Sequence, residues 1–252
     1  MQNIVHLISA IIVLCVLQCT SGFSAEENFL LIDGLTNKRV LELGARIDER
    51  ISPWSTFKIP LCLMGYDAGI LKDEKTPIWD FKEGYDDFLA PWRGPQTPQS
   101  WIKDSCVWYS KILSLQLGLE KIQSYLVDME YGNRDLSGGL APPGSKSVAW
   151  INSSLKISPK EQVNFIQKLV CGQLPISHQA IQMTKLLLFK EELPEGWKLY
   201  GRTGHGWFIG WIEKDPNFFP FAYHIREQEQ RINPEQRVQR VKQLLLESNV
   251  MH

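Results

Sequence analysis

Residues 207–225 read WFIGWIEKDPNFFPFAYHI. Two aromatic and β-branched runs, 207–214 and 218–225, flank Asp215-Pro216-Asn217, and a turn of that chemistry folds them back on each other as a hairpin. A second such pair lies near the other end of the chain. Residues 28–45, NFLLIDGLTNKRVLELGA, hold two strand-like runs around the polar turn from Asp33 to Lys38. The stretch between these β-rich ends is mostly helical in pattern. Ser158-Pro159-Lys160-Glu161 is a capping box with proline at the first helical position, and it opens the amphipathic run 162–170. Another helix is expected from near Ser177 through Ile181, Met183 and Leu187. A last one starts near Pro234, with Val238, Val241, Leu244 and Leu245 on one side. Gly, Pro and Ser cluster over 137–147 in a loop too long for a simple connector, and such loops often serve a site. The expected fold is α+β: an antiparallel sheet built from both chain ends, flanked by helices, with a helical region inserted between.

At 252 residues, with 44% hydrophobic and 22% charged residues, the chain can form one sizeable globular unit. A net charge of −1 gives no sign of nucleic acid or an anionic membrane surface as partner. The basic residues near the C-terminus alternate with Glu and Gln, as on a solvated helix face. The N-terminus is different. Leu7 to Leu17 form an apolar block of signal-peptide length, short for a bilayer span, and small residues follow it from Cys19 to Ala25. A cut near Ser24 or Ala25 would remove residues 1–25 and leave 26–252 as a single domain, exported to the periplasm without a stable membrane span. The segment before the apolar block has no Lys or Arg, which keeps an uncleaved anchor or a buried helix open. Gln18 before Cys19 argues against a lipoprotein site.

Five cysteines are present, two of them (Cys15 and Cys19) in the leader. Cys62, Cys106 and Cys171 remain, an odd number with no CxxC spacing, so neither a disulfide framework nor a zinc site is expected. Buried free thiols are the reading for Cys62 and Cys106, with a single disulfide as the alternative. No metal or organic cofactor is indicated.

Four stretches carry chemistry. Residues 53–60 are PWSTFKIP, with Lys58 three positions after Ser55. Were Ser55 only a helix cap, Lys58 would oppose the helix dipole at the third position, and Pro60 would stand where an intrahelical N–H is needed. The entry is therefore tight, of 3₁₀ type, and sets a hydroxyl beside an amine. Ser55 can be read as a cap or as a nucleophile whose base is Lys58. The second stretch is 105-SCV-107, the third the turn 131-YGN-133, and the fourth 200-YGRTGHGWFIGW-211.

In this order the four elements resemble the class D, oxacillinase-type serine β-lactamases over essentially the whole mature chain. STFKIP is close to a signature of that family, SCV matches its S-x-V element, YGN its third element, and GRTG with GWFIGW its last strand pair. The resemblance implies the β-lactamase and penicillin-binding transpeptidase fold, and hydrolysis of β-lactams through an acyl-enzyme. It makes Ser55 the nucleophile and Lys58, N-carboxylated by dissolved CO₂, the general base. Trp150 would hold the modified lysine, Ser105 would relay a proton to the leaving nitrogen, and Val107 would wall the pocket. Tyr131 and Asn133 would shape a loop. The backbone N–H groups of Ser55 and His205 would form the oxyanion hole. Arg202, Thr203 and Gly204 would bind substrate, and Arg237 would take its carboxylate, with Arg226 and Arg231 as rivals. The expected partner is the β-lactam itself, and the expected state a monomer or homodimer.

Two departures qualify the match. The family's last motif normally carries lysine where this chain has Arg202, which keeps the charge and cannot share a proton at neutral pH. The connection between the last two motif strands is also short, because only His205 separates Gly204 from Gly206. A hairpin this tight is feasible with glycines and would put its turn beside the oxyanion donor, so narrow or slow turnover is expected. The alternatives are a receptor that is acylated without turnover and a transpeptidase acting on peptidoglycan.

Overall fold

The computed structural model describes residues 26–226 and 233–251; the expected leader, residues 1–25, lies outside them, as does Arg231. The predicted first hairpin is present, with β1 (Glu27–Ile32) antiparallel to β2 (Arg39–Leu43). Its turn is fixed by Asp33, whose carboxylate accepts from the N–H groups of Leu35 and Thr36 at 2.9 Å each. A 3₁₀ turn, Trp54–Phe57, runs directly into α1 (Lys58–Asp67). The helical region continues with α2 (Pro98–Asp104), α3 (Val107–Leu117), α4 (Leu119–Asp128), α5 (Pro159–Val170) and α6 (His178–Leu188). The Ser158 and Glu161 side chains cap α5 reciprocally, as the sequence pattern requires.

The chain then returns to the sheet through β3 (Phe189–Glu192), β4 (Lys198–Thr203), β5 (Trp207–Lys214) and β6 (Asn217–Ile225), and ends in α7 (Pro234–Glu247). Strand order is β2-β1-β6-β5-β4-β3, and every neighbouring pair is antiparallel. The first strand lies beside the last, with Glu27 opposite Ile225 and Phe29 opposite Tyr223. The expectation of one sheet made from both chain ends holds. Sequence reasoning missed β3: its residues FKEE have no alternating apolar pattern, because an edge strand buries little.

Strand alternation splits the core in two. Trp207, Ile209 and Trp211 face the helical layer, joining Phe57, Leu63, Trp101 and Trp150. Phe208 and Ile212 face the other way and pack against Val238, Val241, Leu244 and Leu245 of α7. The sheet is therefore sandwiched. The 3₁₀ turn at Ser55 is wedged against the open end of β4, which is where the chemistry collects.

Candidate active site

In a 3₁₀ turn, side chains three positions apart eclipse one another. The turn Trp54–Phe57 thus aligns Ser55 with Lys58, whose Nζ donates to Ser55 Oγ at 3.3 Å. Ser55 caps nothing: neither this turn nor α1 has a side-chain cap. The residue before it, Trp54, is held at φ 51°, a conformation costly for a side chain of that size and kept only where its surroundings impose it. Here the Trp54 N–H donates to the Trp150 carbonyl at 3.0 Å, and the indole packs on the His205 ring with centroids 4.8 Å apart.

Ser105 arrives from the other side. It ends α2 in a left-handed conformation, φ 59° and ψ 32°, one residue before the start of the next kink into α3. That turn points its hydroxyl at the nucleophile, and Ser105 Oγ donates to Ser55 Oγ at 2.9 Å. A serine hydroxyl is therefore held between a second hydroxyl and an amine.

The Lys58 side chain is 3% exposed. Burial, followed by the positive charge of Arg202, pulls its ammonium down from 10.5 to about 7, against smaller opposing contributions from Cys106 and Asp86. Its hydrogen bond to Ser55 is the only one it makes among the described residues. Trp150, buried, stacks on Phe57 with centroids 5.1 Å apart and lines the same cleft as Lys58. An amine that is half neutral near pH 7, walled by Trp150 and without a carboxylate on it, fits the CO₂ adduct that the family resemblance implies.

The cleft has a volume of about 690 Å³, and Val107, Thr203, Gly204 and His205 line it with Ser55. A side chain at Gly204 would put its Cβ 3.2 Å from the Pro53 carbonyl and 3.3 Å from the Ser55 nitrogen. Glycine is what lets β4 approach the nucleophile's backbone so closely. The short turn is real. Thr203 pairs with Phe208, the Gly204 N–H donates to the Trp207 carbonyl at 3.0 Å, and only His205 and Gly206 remain to reverse the chain. Gly206 has φ 70° and lies where a Cβ would come within 2.6 Å of the Ile225 carbonyl.

The arginines separate. Arg237 lies in the cleft wall, 4% exposed, with Nη2 donating to the Gly204 carbonyl at 2.8 Å. Arg226 is turned away, pairing with Glu49 at 3.2 Å and with Glu26. Arg202 corrects an expectation, for it does not line this cleft. Neighbours on a strand point to opposite faces, so with Thr203 on the cleft Arg202 enters the helical layer, where Nη1 bonds the Ile102 carbonyl at the end of α2. Its Nε and Nη2 are buried without a partner. Its positive charge is the second cause of the lowered Lys58 ammonium.

Asn133 ties its loop to the strand-like run before α5, donating to the Ser154 carbonyl at 2.8 Å and accepting from the Lys156 N–H at 2.9 Å. Tyr131 packs edge-on against Phe57 and Phe165. Cys62 and Cys106 are buried free thiols, and Cys171 is free and exposed. No group of three or more His, Cys, Asp or Glu able to hold a metal, and no helix long and apolar enough to cross a membrane, occurs among the described residues. One part of the cleft had not been read from the sequence: Asp86 and Lys111, an ion pair in its wall. The available signal was a lysine inside the otherwise uncharged run of α3.

Residues 33–245 match the family model of the penicillin-binding protein transpeptidase domain. Similar curated proteins include β-lactamase OXA-1 of Escherichia coli, 38% identical over 74% of this chain and 71% of the relative. β-Lactamase OXA-9 of Klebsiella pneumoniae is 35% identical over 77% of this chain and 76% of its own. Among solved structures, the OXA-427 class D β-lactamase superposes with a TM-score of 0.79 at 37% identity, covering 88% of this chain and 97% of the other. FUS-1 (OXA-85), a class D β-lactamase of Fusobacterium nucleatum subsp. polymorphum, gives a TM-score of 0.80 at 27% identity, over 90% and 94%.

Proposed function

The chain belongs to the class D serine β-lactamases, and from that premise we propose that it hydrolyses β-lactams with Ser55 as nucleophile and an N-carboxylated Lys58 as general base. The observation that carries the reading is the row Ser105 Oγ, Ser55 Oγ, Lys58 Nζ, at 2.9 and 3.3 Å, in a cleft that lowers the lysine to about 7.

A carbamate forms from a neutral amine, so a pocket that disfavours ammonium promotes it, and the adduct supplies a carboxylate-like base at neutral pH. Ser55 gives up its hydroxyl proton toward the Lys58 position and its Oγ attacks the lactam carbonyl carbon. The developing oxyanion sits between the N–H groups of Ser55 and His205; losing one such donor costs about 10²–10³ in rate. As the C–N bond breaks, the Ser105 hydroxyl passes a proton to the ring nitrogen. Water activated at the Lys58 position then releases the acyl group from Ser55. Trp150 orients the modified side chain. Thr203 and Arg237 hold the substrate carboxylate, with Arg237 set by the Gly204 carbonyl, and Val107 closes one wall.

Residues 1–25 are proposed as a removed export signal and 26–252 as one catalytic domain acting in the periplasm, conferring β-lactam resistance on its host. The second reading is an acylated receptor with slow or no turnover. It is favoured by the two-residue turn beside His205, which leaves little slack at the oxyanion donor.

One experiment separates them. Protein lacking residues 1–25 is mixed with a chromogenic cephalosporin, with and without bicarbonate, while intact mass is followed. Turnover stimulated by bicarbonate supports the carboxylated-lysine hydrolase. A persistent adduct without turnover means a receptor, and an unlabelled Ser55 sinks both. In the hydrolase, Trp150→Ala slows deacylation more than acylation; equal losses would count against its hold on the modified lysine.

A further inference from the structure

Lys111 is a buried lysine on α3, 2% exposed, in the wall of the catalytic cleft. All three of its ammonium protons have an acceptor. Nζ lies 2.7 and 2.9 Å from the two carboxylate oxygens of Asp86 and 2.7 Å from the Ser145 carbonyl. Asp86 in turn accepts from the Gly144 N–H at 3.0 Å. One ion pair thus joins α3 to two loop segments that are far apart in sequence. Those segments also touch without side chains between them: a Cβ on Gly144 would lie 2.1 Å from the Gly84 carbonyl.

Just past Asp86 the first loop carries Phe88 and Leu89, 71% and 41% exposed, both in the cleft lining. Trp54 and Ile151 line the same cleft. The groups that would receive the substrate carboxylate, Thr203 and Arg237, come from β4 and α7, elements separate from these. The other charged groups near the pair are Lys58, whose ammonium senses Asp86, Lys146, which also lines the cleft, and Asp87, which lines it and pairs with Arg93 at 3.3 Å.

A buried ammonium facing a binding cleft would attract an anionic substituent, and a half-buried carboxylate there would repel one. Held together at 2.7 Å, the two cancel. We infer that the Asp86–Lys111 pair is a specificity device of this cleft: it fixes the loop bearing Phe88 and Leu89 and cancels its own two charges, so that this wall offers no unpaired Lys111 ammonium to an anion and the enzyme selects β-lactams with uncharged, apolar acyl side chains over those whose side chain carries a carboxylate. The inference rests on the proposed β-lactamase reading.

The test uses two penicillins that differ by one carboxylate, benzylpenicillin and its α-carboxy analogue. KM and kcat are measured for wild type, Asp86→Asn, Lys111→Met and the double variant. Asp86→Asn leaves a positive wall and lowers the KM ratio of α-carboxy to benzyl substrate by about fivefold. Lys111→Met leaves a negative wall and raises that ratio by about the same factor. The double variant returns it toward wild type, with kcat ratios unchanged throughout. A ratio constant across all variants overturns the inference, since a merely structural pair would weaken both substrates alike. Should Lys111→Met fail to fold, Asp86→Asn and the double variant still decide. Wild-type hydrolysis of benzylpenicillin checks the proposed function separately. A wild type that binds but does not react overturns that function, and the same ratio, read as Kd, still judges the pair.

Discussion

An ammonium buried as Lys58 is loses its hydration and receives only a hydroxyl in exchange. The unfolded chain, where lysine titrates near 10.5, binds more protons than the folded chain between about 7 and 10.5. Stability therefore rises with pH across that window, and the penalty is at its full size below about 7. Lys58→Met should abolish turnover and raise the melting temperature, with the gain largest below pH 7 and shrinking toward pH 10; melting curves across pH check this. With limiting bicarbonate, wild-type turnover should climb as pH passes about 7. Arg202 bears on the same balance. Replacing it by Met removes a buried guanidinium with two unpartnered nitrogens, which should raise the melting temperature, since apolar replacements of poorly compensated buried charge are often stabilising. It also removes the second cause of the depressed lysine, so the pH midpoint of bicarbonate activation should move upward. The spacing of Ser55 and Lys58 was legible as a cap or a nucleophile with its base, and the resemblance to class D enzymes was what pointed to the second reading and to Ser105 and Trp150. The role of Arg202 was not legible, because the motif names a residue and not the sheet face it enters.

At the scale of elements, the tightest junction is β4 against the 3₁₀ turn. Gly204→Ala would push a methyl group to 3.2 Å from the Pro53 carbonyl and 3.3 Å from the Ser55 nitrogen. Those atoms are backbone and can yield only by shifting the nucleophile. The expected outcome is a fall in kcat of at least about tenfold, the scale of a misplaced reacting group, with little change in melting temperature; steady-state kinetics beside a thermal melt checks it. Both terminal hairpins, α5, α6 and α7 were readable from periodicity and caps. The strand β3 was not, because at the sheet edge neither propensity nor burial writes a pattern into FKEE. The cleft's ion pair was also hidden, since Asp86 and Lys111 are brought together only by the packing of a loop on α3.

For the molecule as a whole, the two cores share one sheet: Leu30 lies in the helical-side core while Phe29 and Leu31 lie in the other. Neither layer can be lost without stripping a face of β1, β5 and β6. Unfolding should then be a single transition, with calorimetric and van't Hoff enthalpies equal; two resolved transitions would divide the proposed domain 26–252. The pairing of Glu27 with Ile225 has a further consequence. β1 gains its inner neighbour only once β6 has been made, so closing the sheet needs a contact that spans the whole helical region, and such non-local pairing is slow to form and leaves a strand edge open meanwhile.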